Sequence, residues 1–331
     1  MARAKLSARS ILDTARAFWE SRVILTAAEL DLFSLLARSP RTAAQVARTL
    51  DSNERATGML LDALTAMELL TKSGKAYQAP PQVLEFLGAR SDQTVLPMVR
   101  HMANCWRTWD RLTEVVLTGK PARSQSKQRG LFDLEAFICA MHVVGRHLAD
   151  PIIQEIEPCR ARRFLDVGAG PATYTAAVLR ACPEARATVF DLPPVIEIAR
   201  TQLRKAGLVK RVTFVPGDFY KDPLPPGHDL VLLSAIIHQN SPQQNRELFA
   251  KIHAALVPGG RLVIRDHVMD RSRTRPRAGA LFALNMLVAT DGGGTYTFDE
   301  IRDGLRAIGF KQIKLIRRGD MMDSLVSAIK R

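Results

Sequence analysis

The sequence predicts an α/β protein in which a helix-rich N-terminal domain precedes an open, mostly parallel sheet covered by helices on both faces. Two observations support this fold class. From residue 163 onward, short apolar runs alternate with segments of helical periodicity, and that alternation is typical of a parallel sheet between two helix layers. In addition, 331 residues exceed what one ordinary hydrophobic core accommodates, so we expect two domains.

The composition narrows the class of protein. Hydrophobic residues make up 47% of the chain and charged residues 24%, which is typical of a folded protein and not of a disordered one. No uninterrupted run of about 18 apolar residues occurs, so we expect no membrane span. The cysteines form no C-x-x-C pair, which argues against zinc and predicts reduced thiols in a cytoplasmic protein; they are Cys105, Cys139, Cys159 and Cys182.

The net charge of +14 has two interpretations. A basic protein can attract nucleic acid or an anionic substrate through its long-range field. Here, however, the lysines and arginines are spread along the chain, and the densest basic run, residues 119–130, is also rich in Gly, Ser and Gln. We therefore interpret that run as a linker, and the charge as a solvated surface without a nucleic-acid partner.

Residues 1–118 are predicted to form a small domain of winged-helix type. In chain order it contains helical segments over Ile11–Arg38, Ala43–Leu50 and Asn53–Leu70, and then a turn at Lys72–Tyr77 between two short strand-like pieces. Thr42 and Asn53 are the expected N-caps of the second and third segments. The third helix would be the DNA-recognition helix of such a domain, but its exposed side mixes acidic and basic residues, and phosphate contact requires basic ones. We therefore favour a structural or dimerisation module.

A helix over Thr94–Leu117 leads to the linker, and a helix over Leu134–Glu157 opens the second domain, residues 131–331. Its predicted strands are Arg163–Val167, Ala187–Phe190, Val212–Val215, Asp229–Ser234, Arg261–Asp266, Gln312–Ile316 and Ser324–Ile329. The helices predicted between them are Thr173–Ala181, Val195–Ala206, Gln243–Leu256 and Asp299–Ile308. Ligands of such sheets bind outside the carboxyl ends of the strands, so the residues that follow each strand are the site candidates.

The first strand of this domain ends in Gly168-Ala-Gly170 and leads directly into a helix. Without Cβ atoms at the glycines, a ligand can lie against the backbone N–H groups. The dinucleotide-binding fingerprint requires a third glycine at the start of the helix, and Pro171-Ala-Thr173 stands there instead. A pyrophosphate cradle is therefore disfavoured.

Carboxylates follow the next two strands. Asp191 ends the second strand, 23 residues after Gly168, where it can accept hydrogen bonds from both hydroxyls of a ribose. Asp218 and Phe219 follow the third strand, where they can flank an adenine by a hydrogen bond and by stacking. Two carboxylates also attract a cationic sulfonium ligand. Each aspartate alone is explained equally well as a cap or turn residue, but the joint pattern over three strand ends predicts a ligand site.

Several motifs together resemble the O-methyltransferases of the caffeate and acetylserotonin type over nearly the whole chain. They are Leu165-Asp-Val-Gly-Ala-Gly170, Val189-Phe-Asp-Leu-Pro193, Gly217-Asp-Phe-Tyr220, Ala255-Leu-Val-Pro-Gly-Gly260 and the winged-helix pattern. The resemblance implies a seven-stranded Rossmann-like methyltransferase sheet, a homodimer interlocked through the N-terminal domain, a small-molecule acceptor and S-adenosylmethionine as methyl donor. The donor-binding residues that it implies are Asp166, Gly168, Gly170, Asp191, Leu192, Asp218, Phe219 and Ser234.

The same resemblance implies the reacting groups. His238 follows the fourth strand and aligns with the family's general base, while Asp266 ends the fifth strand and aligns with the acid that orients it. A histidine suits this task because it can take the proton of a hydroxyl whose oxygen attacks the methyl group. A phenol near pKa 10 and an imidazole near 6.5 differ by roughly 5 kcal/mol for full proton transfer, and a carboxylate partner narrows that gap. Otherwise, such a histidine is structural and such an aspartate is a strand-end cap.

Some positions depart from the family pattern. Gln239 and Asn240 stand where plant members have an acidic residue and a tryptophan, and Ser234 stands where they often have a lysine. Thr295 stands where the family has a second catalytic glutamate and cannot act as an acid, although Asp291 lies close by in the sequence. Because of these departures, C-methylation of a small aromatic or pigment precursor by the same histidine–aspartate pair is an alternative to O-methylation.

The acceptor pocket and two rival functions complete the interpretation. By resemblance, the acceptor-binding candidates are Met141, Asn285 and Met286, with Trp106, His142 and Phe282 as further candidates, although helical spacing also allows core positions.

A nucleic-acid methyltransferase acting on base amines would carry [DN]-P-P-[YF] after the fourth strand, where this chain has Ser234-Ala-Ile-Ile-His238. A non-catalytic metabolite-binding regulator is the other rival, and the intact His238 and donor-site acids argue against it.

Overall fold

The computed structural model describes residues 6–122, 130–158 and 161–331, with side chains left out at 130–133. Most of the predicted linker, and Cys159, therefore lie outside the described residues. The chain divides into two compact units, Met1–Trp106 and Arg107–Arg331. The first unit is mostly helical and the second is an α/β unit with a seven-stranded sheet, as the sequence predicts. The finer domain boundaries at 118 and 130 stay a prediction.

The N-terminal unit places its helices around a small antiparallel sheet. The helices are α1 (Ala8–Arg16), α2 (Phe18–Glu29), α3 (Leu32–Leu35), α4 (Ala43–Leu50), α5 (Glu54–Ala66), α6 (Pro81–Leu87) and α7 (Leu96–Trp109), and the last of these continues into the second unit. The strands are β1 (Arg41–Thr42), β2 (Thr71–Ser73) and β3 (Ala76–Gln78), in the order β1-β3-β2. Thr42 and Asn53 cap α4 and α5 as predicted.

Three predicted helical segments are wrong in extent. The segment over Ile11–Arg38 is divided into α1, α2 and α3. The helix after Asn53 ends at Ala66 and not near Leu70, because Glu68 adopts the left-handed conformation with φ of 59° and turns the chain toward β2. The single helix predicted over Thr94–Leu117 is broken after Trp109, and a separate helix α8 spans Leu112–Thr118.

The second unit alternates strands and helices as predicted. After α8 its helices are α9 (Gly130–Ile156), α10 (Thr173–Ala181), α11 (Pro193–Lys205), α12 (Pro242–Ala255), α13 (Arg277–Ala289) and α14 (Phe298–Ala307). Its strands are β4 (Arg163–Val167), β5 (Arg186–Asp191), β6 (Val212–Pro216), β7 (His228–Ser234), β8 (Leu256–Asp266), β9 (Val268–Met269), β10 (Tyr296–Thr297), β11 (Lys311–Arg317) and β12 (Ser324–Ile329). The main sheet has the order β11-β12-β8-β7-β4-β5-β6.

Neighbouring strands of the main sheet run parallel from β8 to β6, whereas β12 is antiparallel to β8 and β11. Apolar clusters cover both faces: Val167, Leu233 and Ile264 lie in one, and Phe164, Leu232 and Val263 lie in the other. Burial on both faces explains the nearly continuous apolar runs in the sequence. It also leaves the ends of the strands as the places where polar side chains can gather.

One described helix, over Leu134–Ile156, is long and apolar enough to cross a membrane by length and composition alone. Its last residues Ile152, Ile153 and Ile156 are buried in the cluster that contains Phe164. A helix that packs on a sheet face in this way passes the same test of length and hydropathy, so the finding is weak evidence for a membrane span.

Candidate active site

Residues that follow five adjacent strands lie at one edge of the main sheet. In the spatial order β8, β7, β4, β5, β6, these strands lead into Asp266, His238, Gly168, Asp191 and Asp218. Parallel strands bring their carboxyl ends together, so the strand order places the predicted donor residues and the predicted reacting pair side by side. The sequence predicts each of these residues at a strand end, but it does not predict the order of the strands.

Both the backbone conformation and the neighbouring side chains require a glycine at position 168. Its φ is +68°, which favours glycine, and an added Cβ would lie 2.6 Å from Ile236 Cδ1 and 3.4 Å from Phe219 Cε1. Gly170 also has a positive φ, +54°, but a Cβ there would meet only Ile138, at 4.0 Å. The turn therefore brings three strand ends into contact at Gly168 and keeps backbone accessible at Gly170, which fits an adenosine-type ligand.

Asp191 organises this turn. Its Oδ2 accepts the Gly170 N–H at 2.7 Å, and its Oδ1 accepts the Leu192 N–H at 2.7 Å. A carboxylate oxygen has two lone pairs, so each oxygen retains one for a ligand hydroxyl. Burial raises the pKa of Asp191, and the hydrogen bonds from Gly170 and Leu192 oppose that rise. Asp191, the predicted ribose-binding residue, therefore also stabilises the glycine turn.

Asp166 lies beneath the turn and is only 2% exposed. Its Oδ2 accepts the hydroxyl of Thr175 at 2.6 Å. Burial is the main cause that raises the pKa of Asp166 to about 7, and the negative charge of Asp191 adds to it. The carboxyl group is therefore directed into the fold, where it supports the turn, and its predicted contact with the donor stays a prediction.

Replacement of Asp166 by asparagine is expected to flatten the dependence of stability on pH. Because the folded pKa is raised from 3.8 to about 7, stability from this group is complete below the unfolded pKa and is lost as the pH rises through 7. Relative to wild type, Asp166→Asn should gain about 3 kcal/mol of unfolding free energy between pH 5 and pH 8, as measured by urea unfolding. The exposed Asp13→Asn serves as the control, and parallel curves for wild type and D166N would contradict the prediction.

The turn after β6 carries Asp218, Phe219 and Tyr220. Asp218 accepts the Tyr220 N–H at 2.9 Å and pairs with Lys221 at 3.2 Å. These contacts, the backbone hydrogen bond first, lower the pKa of Asp218. Lys251 of α12 donates to the Phe219 carbonyl at 2.8 Å. This lysine, which the sequence did not indicate, therefore helps to hold the predicted adenine-binding turn.

His238 and Asp266 form the pair that the sequence predicts. His238 Nδ1 lies 3.0 Å from Asp266 Oδ1 and 2.9 Å from Oδ2, and the two side chains are 11% and 1% exposed. A carboxylate only accepts hydrogen bonds, so Nδ1 donates to Asp266, and Nε2 is the ring nitrogen that this pairing does not use. Burial alone would raise the pKa of Asp266, but attraction to His238 and hydrogen bonds from the His238 ring and the His267 N–H hold that pKa below its ordinary value.

Helix α13 and the loop after it border His238. The Phe282 ring meets the His238 ring edge-on, with centroids 4.9 Å apart, and the Gly294 N–H donates to the His238 carbonyl at 2.8 Å. At Gly293 an added Cβ would lie 2.5 Å from the same carbonyl oxygen, so this glycine permits the close approach. Thr295, at the position of the family's second acid, is 6% exposed.

The predicted acceptor residues have mixed surroundings. Asn285 accepts a hydrogen bond from the Trp109 indole at 2.8 Å, Met286 is 7% exposed and Met141 is half-buried. Asn285 and Met286 share α13 with Phe282, which contacts His238. Their roles as acceptor contacts therefore stay predictions that the position of α13 supports.

Ser234 has a partner that nothing in the local sequence indicated. Its hydroxyl accepts a hydrogen bond from Arg265 Nε at 2.7 Å. Arg265 is 5% exposed, and its guanidinium lies over the Tyr174 ring at 4.9 Å from the centroid. The register pairs Ser234 with Arg265 directly. A buried cation therefore stands beside the position where plant relatives often have a lysine.

The described residues contain no group of three or more His, Cys, Asp or Glu side chains that could hold a metal ion.

Asn240, like Lys251 and Arg265, is a residue at the site whose contacts the sequence did not indicate. Its side chain is 0% exposed and accepts the hydroxyl of the half-exposed Tyr220 at 2.5 Å. A hydrogen-bonded amide therefore stands at the position of the plant enzymes' tryptophan.

Two family models and several known proteins match this chain. The family model of the O-methyltransferase domain matches residues 125–311, and that of the O-methyltransferase dimerisation domain matches residues 12–83. The chain is 32% identical to the tetracenomycin polyketide synthesis 8-O-methyl transferase of Streptomyces glaucescens, covering 92% of this chain and 91% of the relative. It is 31% identical to the 3-hydroxy-5-methyl-1-naphthoate 3-O-methyltransferase of Streptomyces sahachiroi, covering 93% and 90%.

The fold matches a solved structure over its full length. Human N-acetylserotonin methyltransferase in complex with S-adenosylmethionine superposes with a TM-score of 0.83 at 26% identity, covering 100% of this chain and 99% of that one. The resemblance read from the motifs and the seven-stranded sheet is confirmed by these matches.

Proposed function

Because the chain belongs to the S-adenosylmethionine-dependent O-methyltransferase family, we propose that it methylates a hydroxyl oxygen of a small aromatic molecule with His238 as the general base. The observation that carries this proposal is the buried His238–Asp266 pair, with both carboxylate oxygens within 3.0 Å of Nδ1. The pair leaves Nε2 as the ring nitrogen that can receive a proton.

The residues at the sheet edge fit the donor. The turn at Gly168 and Gly170 presents no Cβ atoms to a ligand, Asp191 offers lone pairs for the ribose hydroxyls, and Asp218 and Phe219 are proposed to flank the adenine. S-adenosylmethionine supplies an electrophilic methyl group on a sulfonium. The negative charge of Asp191 attracts this cationic ligand.

His238 moves the proton of the acceptor hydroxyl. As the acceptor oxygen forms its bond to the methyl carbon, the bond between that carbon and the donor sulfur would break and leave S-adenosylhomocysteine as a neutral thioether, while the hydroxyl proton would pass to His238 Nε2. The imidazolium that results is stabilised by the carboxylate of Asp266, which also keeps the ring oriented. Phe282, edge-on to the imidazole, covers one side of the ring and limits the access of water.

The acceptor is proposed to be a phenolic hydroxyl on a fused aromatic ring. The support is that the two relatives named above are an 8-O-methyl transferase of tetracenomycin polyketide synthesis and a 3-O-methyltransferase of a hydroxynaphthoate. Met141, Asn285 and Met286 are proposed to line its pocket. Both relatives are named as oxygen methyltransferases, which favours oxygen over the carbon-methylating alternative that the departures at Gln239 and Thr295 left open. A cytoplasmic location also stays part of the proposal.

Transfer of label from S-adenosylmethionine carrying a labelled methyl group tests the function. Naphthols and hydroxynaphthoates, indoles, quinones, tetrapyrrole precursors and bulk RNA would be offered as acceptors. Label should appear in a methyl ether of an aromatic hydroxyl. Label in RNA, or on ring carbon alone, would contradict the proposal, and His238→Asn shows which product depends on the active site.

The N-terminal match to a dimerisation domain supports a homodimer. Apolar side chains on the first helices are exposed in the single chain, with Ile11 at 53%, Leu12 at 50% and Trp19 at 60%, and exposed apolar patches mark protein interfaces. Light scattering at micromolar concentration is expected to give about twice the 36.6 kDa of one chain. Trp19→Asp should lower that mass, Asp13→Asn should not, and a wild-type monomer would contradict the prediction.

A further inference from the structure

The hydroxyl of Tyr220 joins the turn after β6 to the turn that carries His238. Tyr220 O–H donates to Asn240 Oδ1 at 2.5 Å, and Gln239 Nε2 donates to the Tyr220 oxygen at 3.4 Å. Both partners directly follow His238 in the chain. They are also the two residues that depart from the acidic residue and tryptophan of the plant enzymes, and an asparagine offers a carbonyl acceptor that tryptophan lacks.

Asn240 passes this contact into the backbone around His238. Its Nδ2 donates to Asn245 Oδ1 at 3.0 Å, and Asn245 Nδ2 donates to the Ile237 carbonyl at 2.9 Å. The Asn240 carbonyl accepts the hydroxyl of Tyr296. Asn240 is 0% exposed, and buried polar groups are costly to leave without partners. A shift of Asn240 therefore disturbs the chain on both sides of His238.

The other end of the link lies in the predicted donor site. The Tyr220 ring packs against Phe219 with centroids 4.6 Å apart, and Phe219 approaches Gly168, as described above. Tyr220 is 47% exposed whereas Asn240 and Asn245 are buried. The exposed end of the link thus adjoins the donor turn, and the buried end holds the catalytic turn.

We propose that Tyr220 is a positioning residue that couples occupancy of the donor turn to the alignment of His238 through Asn240. This inference rests on the proposed role of His238 as the base. A donor that packs against Phe219 restrains the adjoining Tyr220, whose hydroxyl holds Asn240 and thereby keeps His238 in its pairing with Asp266. Donor binding therefore strengthens an alignment whose contacts are already formed.

The coupling can be measured without any methyl transfer. The protein is labelled at histidine Cε1, the His238 signal is identified by its absence in His238→Asn, and S-adenosylhomocysteine is added. In wild type the His238 signal should shift on binding. In Tyr220→Phe, which keeps the ring and removes the hydroxyl, S-adenosylhomocysteine should still bind by calorimetry, within about twofold of the wild-type Kd, while the His238 shift is lost or halved.

Tyr296→Phe is the matched control, because its hydroxyl bonds to the main-chain carbonyl of the same Asn240 while Tyr296 belongs to β10 and not to the turn after β6. It is expected to lower the urea midpoint and to keep the shift of His238 that S-adenosylhomocysteine causes. A structural role of Tyr220 would give the same result for both variants. An unchanged shift in Tyr220→Phe, or no shift in wild type, overturns the proposal.

Kinetics with an accepted phenol separate positioning from donor binding. One lost hydrogen bond corresponds to about a five- to tenfold effect, which should appear as a lower kcat for Tyr220→Phe at saturating donor, with the donor KM nearly unchanged. A raised donor KM at constant kcat would overturn the proposal and assign Tyr220 to donor binding. If no phenol is methylated by wild type, the proposed function fails, and the histidine signals still decide whether the two turns are coupled.

Discussion

Replacing His238 with alanine is expected to lower kcat by about 10²- to 10⁴-fold while the affinity for S-adenosylhomocysteine stays within about twofold. The reason is that Nε2 is the proposed proton acceptor, whereas the donor residues belong to other strand ends. Single-turnover transfer of labelled methyl gives the rate, and calorimetry gives the affinity. A fully active His238→Ala protein would exclude the general-base role.

Two further variants serve as controls that distinguish loss of the base from loss of folding. His238→Asn keeps an N–H group for the buried Asp266 but has no base, so it should fold like wild type and be as slow as the alanine variant. His147→Ala removes an exposed histidine of α9 and should leave kcat unchanged. Asp266→Asn should lose much of the activity as well, because an amide can favour the wrong imidazole tautomer.

Replacing Asp191 with alanine is expected to weaken donor binding by at least about 100-fold. The carboxylate holds the Gly170 and Leu192 N–H groups at 2.7 Å and is proposed to bind the ribose, and each hydrogen bond to a charged group contributes about 1.5–3 kcal/mol. Calorimetry with S-adenosylhomocysteine measures the loss. Asp191→Asn, which retains one acceptor oxygen, should fall between the alanine variant and wild type.

Asp229 provides a matched control for this loss. Its carboxylate also accepts two backbone N–H groups, those of Arg162 and Arg163, but it lies near the start of β7, at the opposite edge of the sheet. Asp229→Ala should therefore cost comparable stability in urea and leave donor affinity unchanged. Equal weakening of the donor by both variants would show that Asp191 acts only by stabilising the fold.

Much of the second unit could be predicted because its signals are local. The strands β4 and β12 were predicted residue for residue, and the helices between strands within a few residues, since apolar runs and caps lie within each segment. The errors fall where the chain leaves a regular element. Glu68, which adopts the left-handed conformation, is not a typical turn residue. At the break after Trp109, Asp110 is a single turn-type residue within an otherwise helical run.

The candidate site likewise contains residues that the sequence indicates and contacts that only the structure shows. Gly168 and Asp191 stand out in the sequence, because a glycine turn and an acid at a set distance along the chain are visible without a structure. The pairing of His238 with Asp266 followed only from the resemblance to a family. The contacts of Ser234 with Arg265 and of Tyr220 with Asn240 followed from neither, because the partners are 31 and 20 residues apart and because Ser234 and Asn240 depart from the family pattern.

By itself, therefore, the sequence determined the α/β class, the strand ends and the identity of the acids, since these depend on periodicity and turn chemistry within contiguous segments. Only the tertiary structure decided which side chains meet. Strand order brings β8, β7 and β4 together, and register then sets the contacts, because a shift of one residue moves every side chain of a strand to the opposite face.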